Sequence, residues 1–196
     1  VVINRVSRYV IDVNRGENER CGSYQTNLVY TTTTQGEEMY RIPLTAKETE
    51  ERIKNYYAPY HNALIGAIRE KLKRYTRIYL LDLHSFGLDC EADIILGNDF
   101  GKTCSNGIIS FLKDKFGENG FLPVENIPFS GAYITKNYCR QFSCCETVQI
   151  ELSYRAYIQN RVFESGEENP VIEQEYFKNQ QKKMAAVYSS FREYLR

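Results

Sequence analysis

Only two histidines, His61 and His84, occur in the 196 residues. Any imidazole chemistry must run through one of them. His84 stands in Arg77–Phe86, RIYLLDLHSF, where an apolar run gives way to Asp82, His84 and Ser85. Side chains alternate along a strand, so Asp82 and His84 share a face. The apolar run is that expected of a strand buried on both faces, and an imidazole at its carboxyl end can move a proton or hold a divalent metal. Glu151 lies in Thr147–Ser153, TVQIELS, on the polar face of a second apolar strand. A carboxylate there is either paired with a cation, with Arg155 or Arg8 in reach, or set to move protons. Arg8, Asn14 and Arg15 flank the end of the first segment. Guanidinium groups there can grip a carboxylate with two parallel hydrogen bonds. Strand parity puts Arg8 with Asn14 and opposite Arg15, unless the chain turns at Asn14. His61 follows Pro59 on a helix and reads as a structural or supporting residue rather than a ligand.

The elements that must hold these groups alternate in type. Val1–Val13 reads as one or two strands, rich in Val and Ile. A charged turn follows at 14–20, then a long polar, Thr-rich surface loop up to Pro43. Thr45 and Glu48 form a capping box. Behind it, Ile53, Tyr57, Tyr60, Leu64, Ala67, Ile68 and Leu72 recur at helical spacing, and Pro59 kinks or splits the helix. The strand ending at His84 comes next, then a short strand at 92–96. A helix over 105–116 stops at Gly117. A strand is expected at 121–124, a glycine-bearing loop at 128–135, the Glu151 strand, and a final helix opened by Asn169-Pro170. Strands alternating with helices predict an α/β sandwich: three layers, a mixed and mostly parallel sheet with helices on both faces.

Lys plus Arg and Asp plus Glu balance at 25 each, which removes any net pull toward nucleic acid or an anionic membrane. No apolar stretch approaches the roughly 20 residues that span a bilayer. The six cysteines lack metal-ligand spacing and read as free thiols in a reducing cytoplasm. The length suits one domain over 1–196. Its opening inside a strand-like segment is expected to follow a missing amino-terminal stretch. Oligomeric state has no signature here.

SRYVIDVNR, PYH, LDLHSF, FSGAYIT and QIELSYRAY occur in this order across nearly the whole chain. Together they resemble the N-formylglutamate amidohydrolase family, related to zinc carboxypeptidases and aspartoacylase. The resemblance implies hydrolysis of N-formyl-L-glutamate, or a similar N-acyl amino acid, to formate and glutamate. It implies a divalent metal, zinc, with His84 as one ligand and the others upstream of residue 1. It makes Glu151 the base, Arg8, Asn14 and Arg15 the groups that bind a small dicarboxylate, and Asp82 and His61 supporting residues. The alternative is a binding module of the same fold that holds no metal and catalyses nothing.

Overall fold

The computed structural model describes residues 1–18, 20–24, 26–159 and 172–196. They form two compact units, Val1–Ile78 with Ala132–Ile134, and Tyr79–Gly131 with Thr135–Arg196.

In the first unit the predicted strand over Val1–Val13 does not form; the segment runs through turns. The amides of Val10 and Ile11 both donate to Ser7 O, and Arg15 N donates to Asp12 O. β-branched residues favour strands only where a neighbouring strand supplies the ladder, and here Asp12 N pairs with Leu28 O instead. The polar stretch before Pro43 is not all surface loop. Strands β1 (Cys21–Gly22) and β2 (Val29–Tyr30) pair in parallel, and Leu28, Val29 and Tyr30 are fully buried.

Helix α1 (Ala46–Arg52) starts at Thr45 with the expected capping box: Thr45 accepts from Glu48 N and Glu48 reaches back to Thr45 N. A π-helical turn over Ile53–Tyr57 leads into α2 (Ala58–Leu72). The helix is therefore split, with Pro59 in the first turn of α2, where a missing N–H costs nothing. The wider turn lets Ala58 N donate to Ile53 O, one residue further back than an α-helix allows.

The second unit is built on a four-stranded sheet in the order β3-β6-β4-β5. The strands are β3 (Ile78–Phe86), β4 (Ile94–Gly97), β5 (Pro123–Glu125) and β6 (Cys145–Ser153). β4 runs parallel to β5 and antiparallel to β6, so the sheet is mixed. Its helices are α3 (Asn106–Glu118), α4 (Tyr133–Gln141) and α5 (Gln174–Tyr194). Ile108, Ile109, Leu112 and Phe116 of α3 and Val187 and Phe191 of α5 close one core with Ile94, Leu96, Val148 and Ile150. Tyr79 and Leu81 pack against that core from β3.

Two local expectations change. β3 is the end strand of this sheet, not a strand buried on both faces, and Leu83 is 57% exposed. α3 runs past Gly117 and stops at Asn119-Gly120, where Gly120 takes φ +78. The left-handed residue that ends a helix is placed by geometry, and Gly117 itself stays helical. The expected helix start at Asn169-Pro170 lies outside the described residues; α5 is capped by the Glu173 carboxylate. All six cysteines are free thiols. Among the described residues no helix is long and apolar enough to cross a membrane.

Candidate functional site

In the first unit the charged residues gather on Asp12, which is almost wholly buried. Its Oδ1 accepts from Asn14 N at 2.9 Å, a side-chain-to-backbone turn that reverses the chain. Its Oδ2 accepts from Arg8 Nη2 at 2.8 Å and from the Tyr30 hydroxyl, and lies 3.9 Å from Arg15 Nη2. Arg8 and Arg15 therefore meet at one carboxylate rather than lying on opposite strand faces. The parity argument fails because the segment is a turn. Burial alone would push the Asp12 carboxyl up. The Arg8 charge, the Tyr30 hydroxyl, the Arg15 charge and the Asn14 amide together hold it below its ordinary value. Burial and the Asp12 bond push Tyr30 upward.

Arg15 Nη1 also donates to Asn14 O at 2.7 Å, and Tyr57 OH donates to Arg15 O at 2.9 Å. Asn14 Oδ1 accepts from Ile134 N at 2.8 Å. Two guanidiniums beside one carboxylate are groups of the kind that grip a carboxylate ligand.

Behind this turn sits His61, 8% exposed. Its Nε2 lies 3.0 Å from Val13 O, and since a carbonyl can only accept, Nε2 carries the proton. Tyr57, Tyr60 and Tyr133 surround the ring. Desolvation pushes its pKa down to about 4, against the Val13 bond, which raises it. Burial thus favours the neutral ring of His61. An unfolded His61 binds a proton near pH 6.5 and the folded one does not, so stability should fall as pH drops from 6.5 to 4. The full cost is about 3 kcal/mol. Urea titrations across that range should show the fall, and His61→Gln should lack most of it.

In the second unit the chemistry-bearing residues share one face. Tyr79, Leu81, Val148 and Ile150 belong to the core under α3 and α5. By alternation Asp82 and His84 of β3, and Gln149 and Glu151 of β6, lie on the opposite face. β3 and β6 are adjacent. The imidazole and the carboxylate thus stand on the same side of neighbouring strands. His84 Nε2 is 2.9 Å from Asp82 Oδ1. Asp82 is buried, and its Oδ2 has no hydrogen-bond partner among the described residues. A proton on Nε2 for Asp82 puts the ring's lone pair on Nδ1. Glu151, 8% exposed, accepts from Gln149 Nε2 at 2.9 Å through Oε1. Of the cations considered for Glu151, Arg155 turns to Asp93 and to Glu91 O, and Arg8 to Asp12.

Apolar groups wall this face. Ile95 stands directly opposite Glu151, in one cluster with Phe86 and Phe129. Gly97 stands opposite Gln149. A Cβ there would come within 2.7–2.9 Å of the backbone of Phe129, Ser130 and Gly131. The Phe129–Gly131 backbone thus occupies the place of a side chain beside Gln149, which is what glycine permits, and the loop expected over 128–135 ends where α4 begins at Tyr133.

The profile of the N-formylglutamate amidohydrolase family matches residues 1–158. The chain belongs to the N-formylglutamate amidohydrolase family. Its fold agrees with that membership. A crystal structure of an N-formylglutamate amidohydrolase from Ralstonia eutropha JMP134 superposes with a TM-score of 0.73 at 23% identity, covering 92% of this chain and 72% of that one. A gene product from Agrobacterium tumefaciens superposes with a TM-score of 0.66 at 16% identity, covering 96% and 70%. No curated protein sequence matches the chain.

Sequence reasoning missed Asp12 and Tyr30 in this family member. The signal for Asp12 was present: it is the only acid among the first fifteen residues, which hold Arg5, Arg8 and Arg15. Tyr30, one of 16 tyrosines, carried none.

Proposed function

We propose that the chain hydrolyses N-formyl-L-glutamate, or a closely similar N-acyl amino acid, to formate and the free amino acid. The observation that carries this reading is the face shared by Asp82–His84 and Gln149–Glu151 on adjacent strands. Glu151 takes a proton from the attacking water and returns it to the leaving amine nitrogen as the carbon–nitrogen bond breaks. Its burial among Ile95 and its neighbours limits competing hydration of the carboxylate. Arg15, with Arg8, recognises a substrate carboxylate; Asn14 donates to it.

Family resemblance also brings a divalent metal, zinc, into the proposal. An imidazole backed by a buried carboxylate fits one position of such an ion's ligand set. Catalytic zinc usually takes three protein ligands, and among the described residues no three of His, Cys, Asp and Glu gather. Of the described residues, His84 would supply one ligand. When bound it would acidify a water and polarise the formyl carbonyl.

Formate release should be measured with N-formyl- and N-acetyl-glutamate, N-formylaspartate and N-formylleucine, with and without added zinc. The expected order places formylated dicarboxylates first. Equal rates on N-formylleucine, which keeps only the α-carboxylate, would remove recognition of the side-chain carboxylate. Formate from none of them would leave the chain as a binding module of this fold.

A further inference from the structure

The first unit holds an open cavity of about 320 Å³ that the proposed reaction does not use. Its lining is mostly one helical stripe. Glu48, Glu51, Arg52, Asn55 and Tyr56 follow the i, i+3, i+4, i+7, i+8 spacing across α1 and the π-helical turn. Val10 completes it from the segment before β1. Arg52 Nη1 is tied to that segment, donating to Val10 O at 3.0 Å and to the Tyr40 hydroxyl at 2.9 Å. We propose that this cavity binds a free α-amino acid with an uncharged side chain, its carboxylate on Arg52 and its ammonium on Glu51 and Glu48.

The groups that line the cavity keep bonding capacity for such a ligand. Among the described residues Arg52 forms no ion pair; Glu48 feels its charge without bonding to it. With Nη1 used twice, the Nε–Nη2 edge remains, and that edge matches a carboxylate with two parallel hydrogen bonds. Glu48 spends Oε2 on the Thr45 amide and hydroxyl, which leaves Oε1. Glu51 has only Lys47 near it, at 4.0 Å, and its side chain is 58% exposed. A guanidinium beside two carboxylates on one stripe presents both signs of charge at the separation of one helical turn. A zwitterion answers both signs at once. An N-acylated amino acid answers only one, because its nitrogen is a neutral amide that leaves Glu48 and Glu51 without a cation. The cavity therefore separates free amino acids from acylated ones. The ligand's apolar side chain has Val10 and the Tyr56 ring to lie against. The volume stands at the small end of ligand cavities.

Titration of the full chain with L-leucine, followed by backbone amide resonances and by calorimetry, tests this. Saturable shifts are expected at Val10 and across Glu48–Tyr56. N-acetyl-L-leucine lacks the ammonium and L-leucinamide lacks the carboxylate. Each should bind at least tenfold more weakly, the worth of one hydrogen bond to a charged group. Arg52→Lys keeps the charge and loses the fork, so it should weaken L-leucine as well, but it also loses the tie to Val10 O and is read only if its thermal midpoint shows a folded chain. Glu51→Gln disturbs no buried contact and should weaken L-leucine about fivefold, the upper value for an exposed ion pair. No saturable shift at these residues, equal affinity for N-acetyl-L-leucine, or unchanged affinity in Glu51→Gln overturns the proposal. None of these readouts depends on formate release.

Discussion

Glu151→Gln should lower formate release by about 10²- to 10⁴-fold, the range a positioned general base supplies. The substitution is nearly isosteric, and the site keeps its apolar wall of Ile95, Phe86 and Phe129. Folding should survive, because an amide replaces a carboxylate whose burial costs more than that of a neutral group. The thermal midpoint should stay level or rise slightly. Substrate affinity, read by isothermal titration with N-formylglutamate, should change little, since the base acts on water and not on the carboxylates that recognition uses. A loss confined to kcat marks a group that acts in the transition state. A loss in KM alone would make Glu151 a binding residue. A retained rate would remove it from the chemistry.

How much of this could be read from residues depends on where each residue's partner lies. On β3 and β6 the pattern is local: alternation alone puts Asp82 with His84 and Gln149 with Glu151, and the structure repeats it. The capping box at Thr45 and the break before α2 are local too. The place of β3 at the end of the sheet was not legible, because an apolar strand reads the same there as in the middle. The turn at Asp12 was misread for a related reason. Val-rich sequence prefers a strand, but a strand needs a ladder, and the ladder partner of Asp12 is the distant Leu28 O. Arg8 and Arg15 consequently converge where parity would separate them. The acceptor of His61, Val13 O, is 48 residues away and has no signature in its sequence neighbourhood.

Asp12→Asn should cost about 3 kcal/mol of stability at neutral pH, the lower end for breaking a buried ion pair from one side. The cost is uneven across its partners. Arg8 is nearly half exposed, so water takes over much of its charge and that contact contributes little. Tyr30 is fully buried, and its hydroxyl is left with a weaker acceptor. Arg15 has a side chain 17% exposed and stays charged without its counter-ion. The amide at position 12 can still accept from Asn14 N, so the turn itself should hold. Because Asp12 titrates below 3.8 in the folded chain, its contribution is present above pH 3.8 and disappears as pH falls through that lower folded value. The stability gap between the parent and Asp12→Asn, measured by urea titration, should therefore be largest at neutral pH and shrink toward zero in strong acid. A gap that persists unchanged at pH 3 and below would mean that the Asp12 charge is not what binds Arg8, Arg15 and Tyr30 together.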